Sequence, residues 1–207
     1  MRRIGIMGGT FNPIHIGHLL LAEWAQDYAA LDEVWMIPAG SPYMKPPGEI
    51  LPGRERLHMT ELAVRGNSAI KCLDTEIMRE GPSFSYETLE LLKGAYPEHA
   101  FYFIVGADCL FSIADWKCPE RIFRNCILIA AVRDGTAMDA MEEKKRELEE
   151  RFKEPRANII LLPFLNVPVS STDIRRRIRE GKSVRYLVPE DVLRYIKEKD
   201  FYREKVE

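Results

Sequence analysis

The chain has no apolar run approaching the roughly 18 residues needed to span a bilayer. Its amino-terminal apolar stretch is too short, and too broken by glycine, for a secretory signal. A cytoplasmic location is the expectation. Cysteine is scarce: Cys72, Cys109, Cys118 and Cys126 show no paired C-x-x-C spacing, which predicts reduced, mostly buried thiols. Excess charge is missing too. The 30 Lys and Arg residues face 32 Asp and Glu, a net charge of −2, so nothing draws the whole molecule to nucleic acid or an anionic membrane. Any anion binding must be local. Two common nucleotide fingerprints are absent: no G-x-x-x-x-G-K-[ST] occurs, and the first glycines are spaced Gly5-x-x-Gly8-Gly9, not G-x-G-x-x-G. No internal repeat or low-complexity segment appears.

What is present is an ordinary globular composition, 46% hydrophobic and 30% charged over 207 residues. That length fits one domain over 1–207, with a helical segment from about 170 onward packed upon it. Ile4, Ile6 and Met7 read as a first strand, and Ile16 to Ala30 as a helix. Further strands are expected at Asp32–Pro38, Ala69–Ile77, Ala100–Val105, Cys126–Val132 and Asn158–Pro163. Helices are expected at Arg54–Val64, Ser85–Leu92, Met138–Lys153, from Ser170, and at Pro189–Lys199. The Met138–Lys153 helix is so charge-rich that it reads as a solvated face. The nearly all-apolar Ala100–Val105 suits a central strand covered on both sides. This alternation predicts an α/β fold: a Rossmann-like, doubly wound parallel sheet with helices on both faces and a C-terminal helical segment. Ligands of such folds sit beyond the carboxyl ends of the strands, where Gly8–His18, Gly106–Asp108 and Arg133 would meet. The Pro/Gly-rich stretch from Ala39 to Gly53 is a candidate mobile flap.

Two stretches carry the chemistry. In the first, Met7-Gly8-Gly9-Thr10-Phe11-Asn12-Pro13-Ile14-His15-Ile16-Gly17-His18, a glycine turn opens onto a helix, where backbone N–H groups and the helix dipole favour an anion. His15 and His18 are spaced to share one helix face. They could serve as a metal pair, as packing groups, or as N–H donors to phosphoryl oxygens, with Gly17 allowing close approach and Thr10 and Asn12 adding hydrogen bonds. A metal pair would need further ligands that the neighbouring sequence does not supply. The second stretch runs Val169-Ser170-Ser171-Thr172-Asp173-Ile174-Arg175-Arg176-Arg177-Ile178-Arg179. Ser170 and Asp173 suggest a helix start. Basic residues in a first turn would oppose the helix dipole, a conflict that a bound polyanion removes. The plain alternative is a basic, solvated helix face.

Together these stretches resemble the nucleotidyltransferases with a T/H-x-G-H signature, and among them the bacterial nicotinate-nucleotide adenylyltransferases. Gly9 to His18 matches the first signature, and Ser170-Ser171-Thr172-Asp173-Ile174-Arg175 the second. Between them, Pro82-Ser83-Phe84-Ser85-Tyr86-Glu87-Thr88-Leu89 and Gly106-Ala107-Asp108 through Trp116 resemble that family's middle segments, and Val188 to Ile196 its carboxyl end.

The resemblance implies that His15, His18 and Arg175 carry catalysis. Gly8, Gly9, Thr10, Phe11, Gly17, Gly106, Ser171 and Thr172 would bind ATP. Ser83, Phe84, Ser85, Asp108 and Trp116 would hold the mononucleotide, with Lys45 and Arg133 as anchors for its phosphate. ATP and nicotinate mononucleotide would be the partners, without nucleic acid or membrane, and a homo-oligomer stays open. Mg²⁺ would arrive on the ATP phosphates, with no metal held by protein ligands alone. Departures from the family pattern fall around the pyridine pocket: Tyr43-Met44-Lys45 lacks a loop histidine, Lys117 follows Trp116, and Phe84 and Ser85 replace tyrosine and threonine. They bear on nicotinate against nicotinamide more than on the chemistry. Competing readings are a sister enzyme using nicotinamide mononucleotide or phosphopantetheine, a class I aminoacyl-tRNA synthetase, and a non-catalytic nucleotide sensor. The second lacks its lysine-rich loop and its tRNA-binding region here.

Overall fold

The alternation of strand and helix patterns resolves into a single six-stranded sheet. In the computed structural model, which describes residues 1–42, 50–133, 138–153, 158–164 and 167–203, the strands are β1 (Arg3–Gly9), β2 (Glu33–Pro38), β3 (Ile70–Cys72), β4 (Ala100–Gly106), β5 (Ile127–Arg133) and β6 (Ile159–Phe164). All pairings are parallel, in the order β3-β2-β1-β4-β5-β6. The chain leaves β1 toward one edge and returns beside it as β4, so the switch in winding direction lies between those two strands.

Helices cover both faces. In β4 the period-two geometry sends Phe101, Phe103 and Val105 to one side, and Tyr102 and Ile104 to the other. The first side packs on α3 (Ser85–Ala95), α4 (Ala107–Ser112), α5 (Pro119–Asn125) and α6 (Met138–Arg151). The second packs on α1 (Ile16–Tyr28), α2 (Gly53–Val64), α7 (Ser171–Arg179) and α8 (Glu190–Glu198). Each fully buried Ile, Leu or Phe in these layers contributes roughly 1.5–3 kcal/mol by removal from water.

Three expectations change. The strand foreseen over Ala69–Ile77 shortens to β3: Leu73 N–H still reaches Met36 O at 3.0 Å, but the Asp74 carbonyl then takes the Met78 N–H and closes a turn. Between Gly106 and Cys126 the chain forms α4, a 3₁₀ turn at Ile113–Asp115 and α5, none of them foreseen. The thiols are less buried than expected, since only Cys126 is fully buried while Cys72, Cys109 and Cys118 are half-exposed; all four are free. Burial pushes both the Cys72 and Cys126 thiols up to about 12. No described helix is long and apolar enough to cross a membrane.

Candidate active site

The loop from Thr10 to His15 has no regular secondary structure, so its carbonyls need partners from elsewhere. Arg56 Nη1 on α2 donates to Thr10 O at 2.8 Å, Arg175 Nη1 on α7 to Asn12 O at 2.9 Å, and the Ser171 hydroxyl to Pro13 O at 2.8 Å. The Ile16 N–H that opens α1 is taken by Leu187 O at 2.9 Å. Arg56 is 1% exposed and also donates to Leu51 O and Gly40 O, at 2.9 and 3.0 Å. It therefore ties the loop after β1 to the loop after β2. Burial pushes its guanidinium down from the usual arginine range, with Tyr202 and Glu76 pulling the other way.

This loop sets the two histidines. His15 stands at the N-cap of α1, and its ring stacks on that of His18 with centroids 3.6 Å apart. The His15 backbone N–H donates to His18 Nδ1 at 3.2 Å. An accepting Nδ1 leaves the proton of a neutral imidazole on Nε2, making that atom the donor. Phe11, buried and at φ 46°, presses its ring edge-on against His18 at 5.0 Å. Gly17 also spares the stacked pair a tight contact, since a Cβ there would lie 3.1 Å from His15 Nδ1.

Two cavities open at the carboxyl end of the sheet. One, of about 280 Å³, lies between α1 and the start of α7 and is bordered by His15, Gly17, Ser171 and Thr172, with Ala131, Phe164 and Val169 as apolar walls. The other, of about 420 Å³, lies over β1 and β4 and is bordered by Gly8, Gly9, Thr10, Ser83, Ser85, Asp108 and Trp116. His18, Leu21 and Gly106 line both. Trp116 is steadied by its Nε1–H, which reaches Ser112 Oγ at 3.3 Å, and by edge-on contact with Phe103.

Most residues singled out from the sequence thus border one of two adjoining spaces, but several do not. Phe11 lies behind His18. Phe84 turns its ring to Lys117, whose Nζ sits 4.3 Å above it. Arg175, 9% exposed, faces Asn12 and lines neither cavity. Ser83 does border the 420 Å³ cavity, but its hydroxyl is engaged in holding the loop after β2, accepting from Gly40 N and Ser41 N at 2.9 and 3.2 Å. Arg133 ends β5, but its side chain, all of Lys45, and the 43–49 part of the expected flap lie outside the described residues.

The second motif also differs in its electrostatics. Ser170 caps α7 as expected, its hydroxyl accepting from Asp173 N at 3.1 Å. The cations Arg176, Arg177 and Arg179 fall in the last turn of this nine-residue helix, where they complement the dipole instead of opposing it. Three contributors went unforeseen: Arg56, Tyr202 and Glu76. Glu76 is a buried carboxylate at the 420 Å³ cavity that accepts from Thr88 Oγ1 at 2.7 Å. Its backbone carbonyl would lie 2.1 Å from a Cβ on residue 40, so Gly40 is required there.

A family model described as cytidylyltransferase-like matches residues 6–177, which takes in both motif stretches. Curated relatives narrow this. The chain is 43% identical over 202 residues to a protein of Lachnoclostridium phytofermentans named "probable nicotinate-nucleotide adenylyltransferase", covering 98% of this chain and 100% of that one. It is 41% identical to a protein of the same name in Desulfitobacterium hafniense, covering 98% and 96%. Among solved structures, the fold matches a Plasmodium falciparum nicotinic acid mononucleotide adenylyltransferase complexed with NaAD, with TM-score 0.77, 20% identity and 98% of each chain covered. The chain belongs to the nicotinate-nucleotide adenylyltransferases of the cytidylyltransferase-like family, as its motifs suggest.

Proposed function

We propose that this protein transfers the adenylyl group of ATP to nicotinate mononucleotide, forming nicotinate adenine dinucleotide and pyrophosphate, a step of NAD biosynthesis. The observation that carries this reading is the meeting of the two cavities at His18 and Gly106, and we assign one cavity to each nucleotide. The relatives' shared name supplies the choice of substrates.

The 5′-phosphate of the mononucleotide is already a nucleophile at neutral pH. It attacks the α-phosphorus in line while pyrophosphate leaves, so positioning and charge stabilisation are all that the protein must supply. His18, donating through Nε2 at the junction, meets the charge that builds on the α-phosphoryl oxygens, with His15 stacked beside it. Ser171, Thr172 and the amino end of α7 face the β- and γ-phosphates. Arg175 supports them from behind by holding Asn12. On the other side Trp116 offers a ring for the pyridine to stack upon, and Ser83 to Ser85 lead into the amino end of α3 beside its carboxylate. Lys45 and Arg133 remain the anchors for the mononucleotide phosphate on family likeness. Among the described residues no cluster of three or more acidic, histidine or cysteine groups could hold a metal by itself. The donor set fits Mg²⁺ carried by the triphosphate, with Asp108 and Glu76 as the carboxylates at the cleft, because magnesium keeps most of its shell as phosphate and water oxygens. Such an ion supplies charge neutralisation on the leaving pyrophosphate.

Pyrophosphate release from Mg-ATP with nicotinate mononucleotide, nicotinamide mononucleotide and phosphopantetheine tests the proposal. Release is expected with the first and much less with the second. Equal rates with both would remove the nicotinate preference, and release with phosphopantetheine alone would sink the assignment.

A further inference from the structure

Asn12, 2% exposed, lies three residues before His15 and joins parts of the chain that are far apart in sequence. Its carbonyl takes Arg175, and its Oδ1 accepts the Leu51 N–H at 3.3 Å and the Tyr202 hydroxyl at 2.9 Å. Tyr202 reaches this point from just beyond α8 by an unusual path: Asp200 and Tyr202 both adopt left-handed backbone, at φ 53° and 64°. Side chains other than glycine disfavour that region, so two such residues within three call for a compensating contact. The phenol's bond to Asn12 is the polar contact this path delivers. Burial pushes the Tyr202 hydroxyl upward, against the opposing pull of Arg175 and Arg56, so it stays protonated and donating throughout the neutral range.

We propose that Tyr202 is a positioning residue for adenylyl transfer: through Asn12 it fixes the Thr10–His15 loop, and with it the angle at which the stacked His15 and His18 rings meet the phosphoryl group. The proposal rests on the function given above. Neither Tyr202 nor Asn12 lines either cavity, so the groups that bind the two nucleotides in the ground state do not include them. What the pair controls is the orientation of donors whose interaction grows in the transition state, and that is read in kcat.

Tyr202→Phe keeps the ring and removes only the hydroxyl. The full-length variant is assayed by pyrophosphate release with ATP and nicotinate mononucleotide, alongside a thermal melt. Losing one hydrogen bond that orients the histidines should lower kcat about tenfold and leave both KM values within about twofold, with the melting temperature shifted by only a few degrees. Asn12→Ala should reproduce the loss, and the double variant should be no slower than Asn12→Ala alone. Wild-type kcat in Tyr202→Phe, a loss confined to KM, or losses that multiply in the double variant would overturn the proposal. A wild-type protein with no turnover would instead strike the functional reading beneath it.

Discussion

A neutral imidazole has one proton to place, and at His18 the backbone of His15 decides where it goes. That bond, the ring stack with His15 and the edge of Phe11 constrain the donor from three directions. His18→Ala is therefore expected to cost about 10²–10³ in kcat, the usual consequence of removing one preorganised charge-stabilising donor. A change confined to KM would refute the role. Arg56 acts at the same scale but on stability. Arg56→Met strands three loop carbonyls in a buried site, which should cost roughly 3 kcal/mol or more and lower the melting temperature by about 6–12 °C. A melting temperature within 2 °C or so of the wild type would contradict that account. The histidines were legible in the sequence because their spacing and the glycine turn are local. Arg56 and Tyr202 were not, since their meaning comes from packing: read alone, each is one more polar residue near a helix.

Among the elements, α7 shows what a pattern can and cannot fix. Its start was readable from Ser170 and Asp173, and the Ser170 cap is made. Ser170→Ala should cost about 1 kcal/mol, visible as a fall of about 2–4 °C in a melt. Its charges were misread, because the helix is short enough for arginines near the motif to fall in its last turn. Periodicity located the strands well where they are buried on both faces, as in β4. It overran at β3, an edge strand whose apolar residues continue into a turn, and it missed α4 and α5. Those helices of six and seven residues are too short for a helical repeat to show.

Seen as a whole, the molecule separates stability from chemistry along the strands. Both cavities open at the carboxyl end, while Glu33 anchors a charged cluster where β2 begins. Burial by itself would raise the Glu33 carboxyl, but hydrogen bonds from Lys71, Trp35 and Arg2 outweigh it and hold the group at about 2. An unfolded chain, with this group near 4.5, binds more protons between those values. The stabilisation is thus complete above about 4.5 and lost as pH falls toward about 2. Glu33→Gln should melt lower than the wild type at pH 7, with the gap closing as the solution is acidified toward pH 3, and should leave kcat at pH 7 unchanged. A gap that widens in acid would reverse the sign of the argument. The same long-range wiring governs the other end of the sheet. Ile16 is closed by Leu187 and Asn12 by Tyr202, both encoded after the last strand. A ribosome that has finished β6 has delivered both histidines without the groups that hold them. Nascent chains, and products clipped after β6, thus carry the motif in an unbraced form, because Leu187 and Tyr202 both follow that strand in the chain.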